Sequence, residues 1–130
     1  MAQRDVVFPH KRQALYEQNG YSAAVRANGF LFVSGQVGSR EDGTPEPDLA
    51  RQIQLAFDNL QGVLEAAGAS FDDIVDVTSF HTDPEAQFES VLATKARAFP
   101  NQPYPNWTMI GVNWLAGFEF EIKVIAKLPE

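Results

Sequence analysis

Residues 118–128 alternate without interruption. Phe118, Phe120, Ile122, Val124, Ala126 and Leu128 occupy every second position, and Glu119, Glu121, Lys123, Ile125 and Lys127 stand between them. A period of two belongs to a β-strand, whose successive side chains leave opposite faces. The segment therefore predicts a strand with one face on a core. Its charged face turns to solvent, to a pocket or to a polar subunit interface. Such a strand needs partners along its edges and an apolar layer over one face.

The rest of the chain supplies both. Val6-Val7-Phe8 predicts a short strand stopped by Pro9. Residues 21–27 and 30–36 flank Asn28-Gly29, a pair that tolerates positive φ and marks a tight hairpin. A loop rich in Gly, Pro and charge runs over 38–47, and Asp48 follows as a helix N-cap. Leu49, Ile53, Phe57, Leu60, Leu64 and Ala67 then recur at helical spacing, with Gly68 placed to stop the helix. Residues 74–82 are rich in β-branched residues and predict a strand. Asp83-Pro84-Glu85 starts a second helix, with Phe88, Val91, Leu92, Ala96 and Phe99 as its apolar stripe. Residues 107–115 predict a strand and Ala116-Gly117 a turn. The order β-β-β-α-β-α-β-β gives an α+β fold, one sheet with two helices packed on one face. The other face must be covered or solvated. Trp107, Met109 and Trp114 are too apolar for free water, which points to self-association through that face.

At 130 residues the chain predicts one domain, 1–130, and 45% hydrophobic residues suffice for a core. So small a domain does not easily enclose a deep cleft, which favours a ligand site between subunits. The formal charge of −7 argues against nucleic acid as a partner. With no cysteine, thiolate catalysis, disulfides and Cys-based zinc sites are excluded. No secretory h-region and no apolar stretch of membrane-spanning length is visible, so the cytoplasm is the expected compartment.

Few residues carry chemistry by themselves. His10 and His81 have no metal-ligand spacing, and His81 reads as a polar side chain near a strand end. Ser34 in Val-Ser-Gly-Gln has no Gly-x-Ser-x-Gly setting. Gly35 beside it marks a close backbone approach, to a packed chain or to a ligand. Glu121 reads first as a solvated or ion-paired carboxylate; in a half-buried pocket it would instead position a water. Trp107, Trp114 and Tyr21 are packing residues or the flat wall of a ligand site. Asp72-Asp73 reads as a solvated turn or a cap.

The segments Gly20-Tyr21-Ser22-Ala23-Ala24-Val25-Arg26, Phe32-Val33-Ser34-Gly35-Gln36, Ala56-Phe57-Asp58-Asn59-Leu60, Leu64-Glu65-Ala66-Ala67-Gly68, Val77-Thr78-Ser79-Phe80 and Phe120-Glu121-Ile122 resemble, in order and spacing, the RidA/YjgF family of reactive-intermediate deaminases. The resemblance runs from about Tyr21 to Leu128. It implies a chorismate-mutase-like fold with a single mixed sheet. It also implies a homotrimer around a central barrel, with small-molecule pockets between subunits. The implied activity is hydrolysis of enamines and imines to a carbonyl compound and ammonia, with no metal or organic cofactor. It makes Glu121 the water-positioning, catalytic residue. Tyr21, Ser34, Gly35, Leu92, Trp107 and Met109 are the residues expected to line the ligand.

Two positions depart from the family pattern. The deaminases grip the substrate carboxylate with an arginine in a Pro-x-Arg-(Ser/Thr) segment, which here is Pro105-Asn106-Trp107-Thr108. A supporting helix asparagine is matched by Leu92. An indole offers one donor and no charge where a guanidinium offers a charged fork, a loss of a few kcal/mol. The expectation is a hydrolytic deaminase of a small C=N metabolite, with weak or absent activity on 2-aminoacrylate. Arg26 is a conceivable substitute cation, though its place after the first long strand does not compel it. The alternative is a non-catalytic small-ligand-binding or chaperone-like trimer. Ribonuclease activity, also attached to the family, sits badly with the negative charge.

Overall fold

The computed structural model describes residues 3–130. In chain order it contains β1 (Asp5–Val7), α1 (Gln13–Asn19), β2 (Ala24–Ala27), β3 (Phe30–Val37), α2 (Leu49–Ala66), β4 (Ile74–His81), α3 (Pro84–Ala98), β5 (Asn106–Gly111) and β6 (Phe120–Lys127). A single 3-10 turn, Phe71–Asp73, precedes β4. The strands form one sheet in the order β1-β2-β3-β6-β4-β5. The sheet is mixed: β4 and β5 run parallel, and every other neighbouring pair is antiparallel.

The alternating segment forms β6 and lies between β3 and β4, where both of its edges are paired. Phe120, Ile122, Val124 and Ala126 are fully buried, and Lys123 and Lys127 are exposed on the opposite face. The buried face is covered by α2, whose Ile53, Ala56, Phe57, Leu60, Val63 and Leu64 meet it. Phe57 stacks on Phe120 with ring centroids 5.8 Å apart. Burying such side chains contributes about 1.5–3 kcal/mol each. Asp48 caps α2 by accepting the Arg51 amide at 3.1 Å. At the other end, Gly68 turns with φ 79°.

Four expectations need correction. First, there are three α-helices rather than two, because residues 13–19 form α1. Only Tyr16 of that helix is buried, so it carries no apolar stripe. Second, α3 buries only Val91 and Phe99 of the stripe read from its sequence. Gln87, Val91 and Thr94 point inward, whereas Phe88 and Leu92 are exposed. The Gln87 amide is drawn in by Thr82 Oγ1, to which it donates at 3.0 Å. Third, β5 ends at Gly111: the Val112 amide turns back to the His81 carbonyl, leaving Trp114 in a loop and 72% exposed. Fourth, β2 begins at Ala24, because α1 and its C-terminal turn occupy the preceding chain. The predicted hairpin is present, with Asn28 and Gly29 both at positive φ.

Candidate functional site

The C-terminal turn of α1 sets Tyr21. Gly20 adopts φ 79°, its amide bonds to the Glu17 carbonyl, and the Tyr21 amide reaches the Tyr16 carbonyl at 3.2 Å. The Tyr21 ring then meets Tyr16 edge-on at 5.1 Å. Tyr16 is buried; Gln36 Nε2 donates to its hydroxyl at 2.9 Å, and burial pushes its phenol pKa up. Tyr21 is half exposed, and its phenol is also raised, first by desolvation and then by the charge of Glu121.

Ser34 and Gly35 stand where β3 slips its register against β6, between Val33 and Gln36. The Ser34 hydroxyl donates to the Ser22 carbonyl at 2.7 Å and ties β3 to the chain entering β2. Gly35 receives the Glu121 carboxyl group. A Cβ added at Gly35 would lie 2.5 Å from Glu121 Cδ and 2.8 Å from both carboxylate oxygens. The close approach inferred at Gly35 is therefore a contact with Glu121. Desolvation in this seat raises the Glu121 pKa above its ordinary 4.5.

Trp107, Leu92 and Met109 lie elsewhere. Trp107 pairs with Val77 in the parallel ladder and turns to the helix-covered face, whereas Glu121 pairs with Val37 and Phe80 on the open face. Within one chain the two residues thus point to opposite faces. The Trp107 ring meets Phe99 edge-on at 5.6 Å, and Lys95 Nζ lies 4.5 Å above it. Its indole N–H donates to Ser79 Oγ at 2.9 Å, and Ser79 Oγ lies 2.8 Å from His81 Nε2. His81 is buried rather than a surface group, and desolvation lowers its pKa. With the indole donating to Ser79, the hydroxyl proton is free to go to His81 Nε2. Leu92 and Met109 are each 40% exposed. Leu92 lines a hollow of about 460 Å³ with Lys95, Phe99 and Tyr104.

The structure thus gathers Tyr21, Ser34, Gly35 and Glu121 at one place and Leu92 and Trp107 at another. Arg26 is paired with Asp5 at 3.2 Å and lies on β2. Sequence reading passed over Arg12, Tyr16 and Gln36, which join Tyr21 and Gly35 around a cavity of about 140 Å³. An arginine ahead of a stretch without apolar period gave no signal beyond its charge.

Known proteins match the chain along most of its length. The family model described as Endoribonuclease L-PSP matches residues 11–128. The RutC family protein YjgH of Escherichia coli is 64% identical over 130 residues, covering 100% of this chain and 99% of its own. A solved structure of the protein YJGH superposes with a TM-score of 0.95 at 64% identity and covers 99% of each chain. The crystal structure of RidA from the Antarctic bacterium Psychrobacter gives a TM-score of 0.78 at 27% identity, over 84% of this chain and 89% of the other.

Proposed function

The chain belongs to the YjgF/RidA family, whose model carries the description Endoribonuclease L-PSP, and on that premise we propose that it hydrolyses a small C=N compound, with Glu121 holding the attacking water. The observation that carries the reading is the seat of Glu121 on Gly35, half buried beside Tyr21, with its pKa raised. A carboxylate so placed accepts a proton from water as the oxygen adds to the C=N carbon. The nitrogen gains protons, the C–N bond breaks, and a carbonyl compound and ammonia leave. No metal or organic cofactor is needed for these steps.

The open face of the sheet supports self-association into a homotrimer around a central barrel, with the ligand sites between subunits. Val6, Phe30, Phe32 and Ile110 are all large apolar residues with at least 37% of their surface exposed. No helix among the described residues is long and apolar enough to cross a membrane. The expected cytoplasmic setting remains part of the proposal.

Trp107 has its N–H engaged by Ser79 and brings no charge, so deamination of 2-aminoacrylate should be weak or absent. Ribonuclease action has little support: His81 is buried and bonded, and the net charge of −7 repels a phosphate backbone. An ammonia-release assay over a panel of freshly generated imines, 2-aminoacrylate among them, tests the reading. Glu121→Gln should reduce turnover of the best substrate at least about 100-fold, the usual scale for a positioned acid–base group. Its near-UV circular dichroism should remain that of the wild type. An unchanged rate refutes the role of Glu121. Turnover of 2-aminoacrylate matching an arginine-bearing relative refutes the expected selectivity.

A further inference from the structure

The chain has two Asn-Gly pairs, Asn19-Gly20 and Asn28-Gly29. In such a pair the backbone nitrogen after the asparagine is free to attack its side-chain amide, because glycine has no side chain to hinder the approach. The other asparagines, Asn59, Asn101, Asn106 and Asn113, precede Leu60, Gln102, Trp107 and Trp114. Both Asn-Gly pairs are exposed, and Gly20 and Gly29 have nearly the same φ, 79° and 81°. Exposure and glycine conformation therefore do not separate the two pairs. Hydrogen bonding does.

Asn19 closes α1. Its Nδ2 donates to the Leu15 carbonyl at 2.9 Å, and the Gly20 amide donates to the Glu17 carbonyl at 3.1 Å. The leaving group and the nucleophile are thus both held by the helix end. Asn28 stands in the turn between β2 and β3, where Ala27 pairs with Phe30. Among the described residues its side chain makes no hydrogen bond, and the Gly29 amide donates to no acceptor. Neither group has to be released before the two meet. The Gly29 carbonyl, by contrast, accepts the Leu128 amide at 2.8 Å, just past the end of β6.

We infer that Asn28 is a site of spontaneous covalent modification and that the end of α1 shields Asn19 from the same chemistry. The Gly29 amide gives its proton to hydroxide, and its nitrogen bonds to Asn28 Cγ. The Cγ–Nδ2 bond breaks, and Nδ2 leaves as ammonia after taking a proton from water. Water then opens the cyclic imide. Opening at Cγ leaves aspartate; opening at the main-chain carbonyl leaves isoaspartate, with Cβ now in the main chain. Aspartate fits the turn, since a short polar side chain tolerates positive φ, and it adds a negative charge. Isoaspartate lengthens the turn by a carbon atom between the paired Ala27 and Phe30. It thereby displaces the Gly29 carbonyl that holds Leu128. This chemistry is independent of the hydrolase reading.

Trypsin cuts after Arg12, Arg26 and Arg40, so residues 13–26 and 27–40 separate as peptides with one Asn-Gly pair each. The test keeps the whole native chain in warm, mildly alkaline buffer, with a second sample in the same buffer plus urea. Both are then digested and followed by liquid chromatography and mass spectrometry. In the native sample the 27–40 peptide should take on the mass of an amide-to-acid exchange and split into aspartate and isoaspartate forms. The 13–26 peptide should convert at least about tenfold more slowly, the factor that two further hydrogen bonds of ordinary strength give. In urea that difference should vanish. A 27–40 peptide that stays unconverted in the native protein overturns the assignment, and so does equal conversion of the two peptides. A difference that persists in urea overturns the shielding by α1, because it would then come from local sequence and not from the fold.

Discussion

Glu121 and Gly35 are 86 positions apart in the chain, and the site depends on their contact. The strand pattern predicts that Glu121 leaves the core face of β6, and it does. That its carboxyl then lies on a residue without a side chain results from the register slip in β3, which no local pattern announces. Arg12 was hidden for a similar reason: the Ser39 hydroxyl and the Arg40 carbonyl, to which its guanidinium donates, are 27 and 28 residues away. The raised pKa of Glu121 gives a signed prediction. Folding favours its protonated form, so between the ordinary carboxylate range and the raised value the folded state binds more protons than the unfolded one. Stability contributed by this residue is present at low pH and is lost as pH rises through that window. Melting temperature measured against pH should therefore decline more in the wild type than in Glu121→Gln above pH 4.5. The hydrolysis rate should rise over the same window as the carboxylate ionises. A wild type that gains on the variant as pH rises would mean that the shift has the opposite sign.

At the scale of elements, what was legible depended on how much of the element's surface is buried. The long apolar stripe of α2 and the alternation of β6 each repeat often enough to be read, and both lie on the core as expected. The α1 helix spans seven residues and buries one side chain, too little for a periodic signal, although Gly20 was a usable stop. In α3, the apolar residues at helical spacing were only half right: Val91 and Phe99 are buried, but a buried glutamine found a hydroxyl partner and Phe88 and Leu92 were left outside. Strand order, including the parallel β4–β5 pair, was not in the sequence pattern at all, since it is set by crossovers. The cap of α2 is a local device that sequence did identify. Asp48→Ala removes the acceptor for the Arg51 amide and should cost about 1 kcal/mol, or a few degrees in melting temperature. Thermal denaturation checks this, and an unchanged midpoint would place no stabilising weight on the cap.

At the scale of the whole molecule, the sheet has one face closed by helices and one open. On the open face Phe32 pairs with Ile125 on one side and Val25 on the other, and Phe30 pairs with Lys127. Phe30 and Phe32 thus leave an exposed apolar patch on this face, which the proposed assembly would cover. Sedimentation should give three times the chain's 14.4 kDa, and Phe32→Glu should bring the mass down to that of a single chain. A wild type that already sediments as one chain would refute the assembly. The place of β6 has a further consequence, for the order in which the protein is made. The strands β1 to β3 and the pair β4–β5 share no ladder with each other; each is joined only to β6. On the ribosome, the two groups of strands therefore cannot be joined into one sheet until β6 emerges. Glu121 arrives on that same strand, so the keystone of the fold and the carboxylate of the site come out of the ribosome together.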